Sequence, residues 1–260
     1  EYAGERGLRD LQAILASIPG FAGSKVAEQL ADGPTNLTVK VEQGGRHFVL
    51  RVDKPEAALL GLNREAEFNV IEAVASAGLG VKPVHFDAVA GVYLRPYSPG
   101  RTWTRADLLN EGNLARLAVR LRELHALPPA GAEFKPLLAA GRYARQLGTT
   151  EAGNLFGQVA SAYALIEPGR RALCHNDLVC QNVLAGEALT LIDWEYAGIG
   201  DPFFDLAIVV QHHELEENLS RHLLAAYLQH QPHEKDFERL AKQRRFYKAL
   251  LNLWNLRINL

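Results

Sequence analysis

The chain has 260 residues, of which 48% are hydrophobic and 22% charged, enough to bury a real core in one domain or two lobes. A formal net charge of -2 runs against a general polyanion binder, so no nucleic-acid partner is expected. No apolar run reaches the roughly 18 residues of a membrane span. The first residues, EYAGERGLRDL, are polar, and Cys174 and Cys180 are the only cysteines, which together predict a cytoplasmic protein with no membrane partner.

Residues 8–18, LRDLQAILASI, carry apolar side chains at helical spacing and end at Pro19-Gly20, which predicts a short amphipathic helix. A strand is expected over residues 25–31. NLTVKVE and RHFVLRV then alternate on either side of Gly44-Gly45, the pattern of a hairpin with a diglycine turn. Residues 63–78 predict a helix with Asn63 as N-cap, Phe68, Val70, Ile71 and Val74 as its apolar face, and a glycine stop. VKPVHFDAVAGVYLRPY predicts two more strands turning at Ala90-Gly91, and SPGR is a break suited to a linker. Helices dominate beyond it: NLARLAVRLRELHAL ending at Pro128-Pro129, residues 151–166, and three segments after Phe203. The exception is residues 173–194, whose short runs of valine, leucine and isoleucine predict strands. The fold class is therefore α+β. A small antiparallel-sheet lobe with one key helix spans residues 1–97, a hinge falls near residues 93–100, and a mainly helical lobe spans residues 98–260.

LCHNDLVCQNVL places His175, Asp177 and Asn182 in an apolar run, where unpaired polar groups are costly. If NVLAGEALTLID folds back as a hairpin, Asn182 and Asp193 come within cross-strand reach, roughly 5 Å between Cβ atoms. An amide oxygen and a carboxylate there form a hard oxygen site of the kind magnesium prefers, with water and phosphate completing it. Asp177, upstream on the entering loop, is placed to accept a proton from an attacking hydroxyl. The trio matches the protein-kinase template of catalytic-loop Asp, catalytic-loop Asn and metal-binding Asp, with His175 orienting the loop through hydrogen bonds. H-x-D-x4-N alone is a short pattern that chance supplies; its conjunction with the later Asp193 and with GDPFFDLA carries the weight. Asp205, in that last stretch, is expected to bond back to amides of the catalytic loop.

CHNDLVCQNVL followed by LIDWEYAGIGDPFFDLA resembles the choline/ethanolamine kinase and aminoglycoside phosphotransferase family. The resemblance implies a bilobal protein-kinase-like fold and transfer of the γ-phosphoryl group of ATP to an alcohol, with Mg2+ held by Asn182 and Asp193 and Asp177 as the base. It further implies that DGPTNLTVKV is the loop over the ATP phosphates, with Gly33, Thr35 and Asn36 in contact, although Pro34 stands where the family often has a second glycine. Arg51 falls where a phosphate-gripping basic residue is expected, and a guanidinium suits that role. Glu67, with Glu65 as runner-up, is the expected helix carboxylate for Arg51. Backbone groups around Arg95 and Tyr97 are expected at the adenine edge.

Acidic and aromatic residues gather after the metal aspartate: Trp194, Glu195, Asp201, Glu214, Glu216, Glu217, Tyr247 and Trp254. Trp194, Glu195 and Trp254 are the candidates for binding a cationic acceptor, since cations favour aromatic faces. Against that, Glu214–Glu217 read equally well as a solvated helix face and the tryptophans as core. His212-His213-Glu214 hints at a metal site, but adjacent helical histidines point apart and no third ligand is evident. Choline or ethanolamine is the first expectation for the acceptor, thiamine the second, and an aminoglycoside or other sugar the third. A metal-dependent phosphohydrolase and a nucleotide-binding pseudokinase stand as alternatives. The sequence specifies no oligomeric state.

Overall fold

The computed structural model describes residues 5–258. Its internal contacts divide the chain into two units: one runs through Arg64 and resumes over Val81–Pro99, and the other comprises Glu65–Gly80 and the chain from Gly100 onward.

The first unit opens with α1 (Glu5–Ser17), followed by β1 (Lys25–Asp32), β2 (Asn36–Gln43) and β3 (Arg46–Asp53). After α2 (Pro55–Leu60), a short helix that apolar periodicity does not announce, come β4 (His85–Asp87) and β5 (Val92–Pro96). The five strands pair antiparallel in the order β1-β2-β3-β5-β4. Gly44 and Gly45 turn β2 into β3 with φ of 57° and 72°, the left-handed pair that a two-residue hairpin turn demands. Register then runs from Asn36↔Asp53 to Gln43↔Arg46 without interruption. One face of this hairpin, Val39, Val41, Phe48 and Leu50, packs with Val92 and Leu94 against Leu11 and Leu15 of α1 and Ile18 just beyond its end. Leu11 and Leu15, four apart, lie on one face of that helix. β1 is the edge, largely exposed, and two register shifts along it disturb the ladder, which blunts the edge as a pairing template.

α3 (Arg64–Ser76) begins directly after Asn63 and stops before Gly78, whose φ is 70°. Val70, Ile71 and Val74 are buried and Phe68 half-buried, matching the apolar face read from the sequence. In the first unit Arg64 grips Asp53 with two bonds, Nε at 2.7 Å and Nη2 at 2.6 Å.

The second unit continues with α4 (Arg105–Leu108), α5 (Glu111–Ala126), α6 (Pro136–Leu147) and α7 (Thr150–Tyr163). Short strands follow: β6 (Ala172–Cys174), β7 (Val183–Leu184), β8 (Thr190–Leu191) and β9 (Gly198–Gly200). The chain closes with α8 (Pro202–His212), α9 (Glu217–Leu228) and α10 (Glu234–Ile258). α10 packs along α6, α7 and α8, while α5 lies on α9. The strand-rich segment is less regular than its composition suggests. β7 and β8 do form the hairpin, but β6 pairs with β9, beyond the hairpin altogether. Among the described residues no helix is long and apolar enough to cross a membrane.

Candidate active site

The site is built around the loop from His175 to Asn182, which leaves β6 and enters the β7–β8 hairpin. Asp205 fixes its first residues. Asp201 caps α8, accepting the Phe203 amide at 2.9 Å, and Pro202 fits the first helical position. That start places Asp205, with 0% exposure, inside the first turn rather than ahead of the helix. Its Oδ2 accepts the His175 amide at 2.8 Å and its Oδ1 accepts the Asn176 amide at 2.7 Å. His125 Nε2 lies 3.0 Å from Oδ2, and its Nδ1 lies 2.9 Å from the Tyr227 hydroxyl. Asn176 adopts a φ of 62°, a left-handed conformation that asparagine tolerates, and its Nδ2 donates to the Tyr196 carbonyl at 3.0 Å.

Within the loop Asp177 and Asn182 touch. Asn182 Nδ2 donates to the Asp177 carbonyl at 2.8 Å and to its Oδ2 at 3.2 Å. The Asn182 carbonyl accepts the Ile192 amide at 3.0 Å, and His175 Nε2 lies 2.9 Å from the Ile192 carbonyl. The hairpin therefore does bring its two ends together, with one correction. Val183 pairs with Leu191, so the register places Ile192, not Asp193, opposite Asn182. Asp193 sits one residue further on, with a left-handed φ of 65°. It still acts on Asp177. The Asp177 carboxyl is pushed up to about 7, first by burial and then by the negative charge of Asp193, with Asp205 adding and the Asn182 hydrogen bond opposing. Burial lowers the His175 pKa, which favours a neutral ring whose Nε2–H donates to the Ile192 carbonyl.

Aromatic rings collect beside this cluster. Tyr143 of α6 and Tyr196 flank Trp254 of α10, with ring centroids 5.5 Å and 6.2 Å from the indole. Burial pushes the Tyr143 hydroxyl up to about 12, and the nearby Glu195 carboxylate adds to it. Tyr196 is driven well above its ordinary value by burial, then by Glu195, Tyr143, Asp177 and Asp193. Among the described residues its buried hydroxyl has no hydrogen-bond partner. Tyr143 and Tyr196 escaped the sequence reading, although Tyr196 directly follows Glu195. Of the two readings of Trp194, acceptor contact and core, its placement matches the core one. Trp194 is buried, its ring lies 4.7 Å from that of His175 at a 40° tilt, and its indole nitrogen lies against Gly80, so we assign it to packing under the loop. Glu214, Glu216 and Glu217 are exposed, as in the solvated-face reading. His212 and His213 serve different partners, the Tyr247 hydroxyl at 2.7 Å and the Cys180 amide at 3.1 Å. Among the described residues the only His/Cys/Asp/Glu group close enough to hold a metal is His125, Cys174 and Asp205, where the imidazole and carboxylate already satisfy each other.

The nucleotide candidates of the first unit are ordered by the sheet. Arg51 is buried in β3 between Thr38 and Tyr93, with its guanidinium 5.2 Å from the Tyr93 ring. Gly33, Thr35 and Asn36 lie in a tight link. The Gly33 amide donates to the Asn36 carbonyl at 3.0 Å, and Lys54 donates from its amide to the Thr35 carbonyl at 2.8 Å and from Nζ to the Gly33 carbonyl at 2.7 Å. Lys54 was not anticipated as the tether of this loop. Arg95 pairs with Val49 in β5, and the Tyr97 amide donates to the His47 carbonyl at 3.0 Å. On α3 Glu67 is buried and Glu65 exposed.

An antiparallel sheet with a helical unit that carries an Asp–Asn loop and a later aspartate defines a phosphotransferase of protein-kinase-like fold. The chain belongs to the APH phosphotransferase enzyme family, which it matches over residues 26–242. It is a small-molecule kinase, an ATP-dependent phosphotransferase acting on a small alcohol. Protein LicA of Haemophilus influenzae is 30% identical to it over 241 residues, covering 85% of this chain and 88% of the relative. A choline/ethanolamine kinase family protein from Mesorhizobium loti is 27% identical with a TM-score of 0.76, covering 95% of this chain and 85% of that one. Choline kinase LicA from Streptococcus pneumoniae shares the fold at 22% identity, with a TM-score of 0.80 over 98% of this chain and 91% of that one.

Proposed function

We propose that this enzyme moves the γ-phosphoryl group of ATP to the hydroxyl of a small cationic alcohol of the choline or ethanolamine class. The observation that carries the reading is the grouping of Tyr143, Tyr196 and Trp254 with the Glu195 carboxylate, beside Asp177. Three aromatic rings and a negative charge suit an ammonium group. A neutral sugar carries no positive charge for the Glu195 carboxylate and the ring faces to favour.

In this reading Asp177 accepts the proton of the acceptor hydroxyl as its oxygen bonds to the γ-phosphorus and ADP departs. In the metal-free protein burial and the Asp193 charge raise the Asp177 pKa, which makes this carboxylate a better proton acceptor than an ordinary aspartate. His175 positions the loop from the Ile192 carbonyl. The donor set fits a hard divalent cation. Asn182 commits its Nδ2 to Asp177, leaving the amide oxygen as its remaining donor, and Asp193 adds a carboxylate. Asn182 and Asp193 would thus hold a magnesium ion, whose charge offsets that of the phosphate oxygens. Arg51, with Gly33, Thr35 and Asn36, is proposed to serve the ATP phosphates, and the backbone at Arg95 and Tyr97 the adenine. Glu67 is preferred to Glu65 as the carboxylate serving Arg51 because it is the buried one of the two. Residues 1–97 and 98–260 are proposed as the two lobes, with the hinge near residues 93–100, and the cytoplasm as the compartment.

The test is ADP release measured over a panel of choline, ethanolamine, thiamine, an aminoglycoside and a neutral sugar, each with magnesium and ATP. Turnover on choline or ethanolamine is expected. Silence on every cationic alcohol with turnover on the neutral sugar would overturn the acceptor assignment.

A further inference from the structure

The loop that carries Asp177 and Asn182 is tied to one helix at both of its ends. At the first end Asp205 of α8 holds the His175 and Asn176 amides. At the far end the Cys180 amide donates to Nε2 of His213 at 3.1 Å. Cys180 opens the single 3-10 turn Cys180–Asn182, so this bond acts on the turn that presents Asn182. His213 caps the C-terminal end of α8, eight residues after Asp205. At the helical rise that separation is about 12 Å. α8 therefore works as a splint, with an acceptor near each end that receives a loop amide.

His213 is itself held. It is 5% exposed, and its carbonyl accepts Arg105 Nε at 2.9 Å from α4. Because Nε2 accepts, the ring hydrogen belongs on Nδ1. Burial, together with the charges of His212 and Arg105, lowers the His213 pKa to about 4, so the accepting form prevails at neutral pH. An apolar side chain of similar size would fill the space but leave the buried Cys180 amide without an acceptor, a loss larger than the hydrogen bond's net worth.

We infer that His213 is a positioning residue for phosphoryl transfer, holding the distal end of the catalytic loop through the Cys180 amide and thereby fixing Asn182 against Asp177. The inference rests on the roles proposed above for Asp177 and Asn182. His213 acts only through the loop and touches neither phosphate nor acceptor.

Three variants are compared, His213→Leu, His213→Gln and Asp177→Ala, with hydrogen exchange at the Cys180 amide and steady-state kinetics as readouts. For His213→Leu the Cys180 amide is expected to exchange about tenfold faster or more, and kcat to fall about tenfold, while KM for ATP stays within about twofold. Glutamine supplies an oxygen acceptor and is expected to recover much of both losses. Unchanged kcat and unchanged Cys180 exchange in the leucine variant would overturn the inference, and so would a fall in kcat that glutamine leaves unrelieved while exchange stays slow. A reading on the wild-type protein is independent of whether any variant folds: the 15N shift of His213 Nε2 should be that of an unprotonated nitrogen, and a protonated Nε2 at neutral pH would overturn it. Asp177→Ala separates the two levels. If that variant turns over at the wild-type rate, the catalytic-loop reading itself fails. If it is inactive while His213→Leu is unimpaired, only the role of His213 fails.

Discussion

Replacing Asp205 with alanine tests how the catalytic loop is held. The carboxylate is 0% exposed and accepts three hydrogen bonds: His175 N at 2.8 Å, Asn176 N at 2.7 Å and His125 Nε2 at 3.0 Å. Truncation leaves two buried amides and one buried imidazole nitrogen without that acceptor. A buried donor left unpaired costs about 1–3 kcal/mol, and neighbours in one network do not add fully. The expected loss is therefore about 3–5 kcal/mol, a large part of the ~5–15 kcal/mol by which a domain is stable. For a chain of this size that lowers Tm by roughly 10 °C. Urea denaturation followed by circular dichroism measures the loss, and ADP release well below the transition measures its catalytic consequence. The variant should lose turnover even where it is fully folded, since the entrance to the loop is no longer fixed. A loss of under about 1 kcal/mol with normal turnover would refute the view that Asp205 anchors the loop.

Two further outcomes follow from the site. The Asp177 carboxyl titrates at about 7 in the folded protein, above the ordinary aspartate value of 3.8. The native state therefore keeps a proton that the unfolded chain has released, and the metal-free protein should lose stability as pH rises from about 4 to about 7. Asp177→Asn removes that slope, so the Tm advantage of the variant should grow across the interval; an advantage independent of pH would contradict the assignment. Trp254→Leu should raise KM for a cationic acceptor about tenfold, the equivalent of a desolvated cation–aromatic contact, with KM for ATP unchanged. An equal effect on a neutral alcohol would argue that the indole is merely packing.

Where chemistry and structure are local, the sequence is legible. The β2–β3 hairpin follows from two alternating runs and two glycines, and the register needs nothing else. Asp177, Asn182 and Asp193 are readable because one short hairpin brings them together. Their offset is not, because the five-residue turn at residues 185–189 sets the register and its length is not fixed by its composition. The choice between the two readings of Trp194 was open for a related reason. The left-handed backbone at Asp193 breaks the strand alternation, and the next side chain turns inward onto His175. Long-range partners left no local trace: His213 meets Cys180 across 33 residues, and Tyr143 meets Trp254 between separate helices. α6 did carry signals, Pro136 at its start, an apolar stripe at helical spacing and Gly148 in the left-handed conformation at its end, and residues 136–147 were legible as a helix although the sequence reading did not single them out.

In the proposed reaction a buried carboxylate on a splinted loop receives the acceptor's proton. Asp177→Ala examined for ATP affinity by calorimetry and for turnover on the best alcohol addresses it most directly. ATP binding close to wild type is expected, with turnover lower by about 10²–10⁴-fold. Turnover at the wild-type rate would contradict this proton transfer.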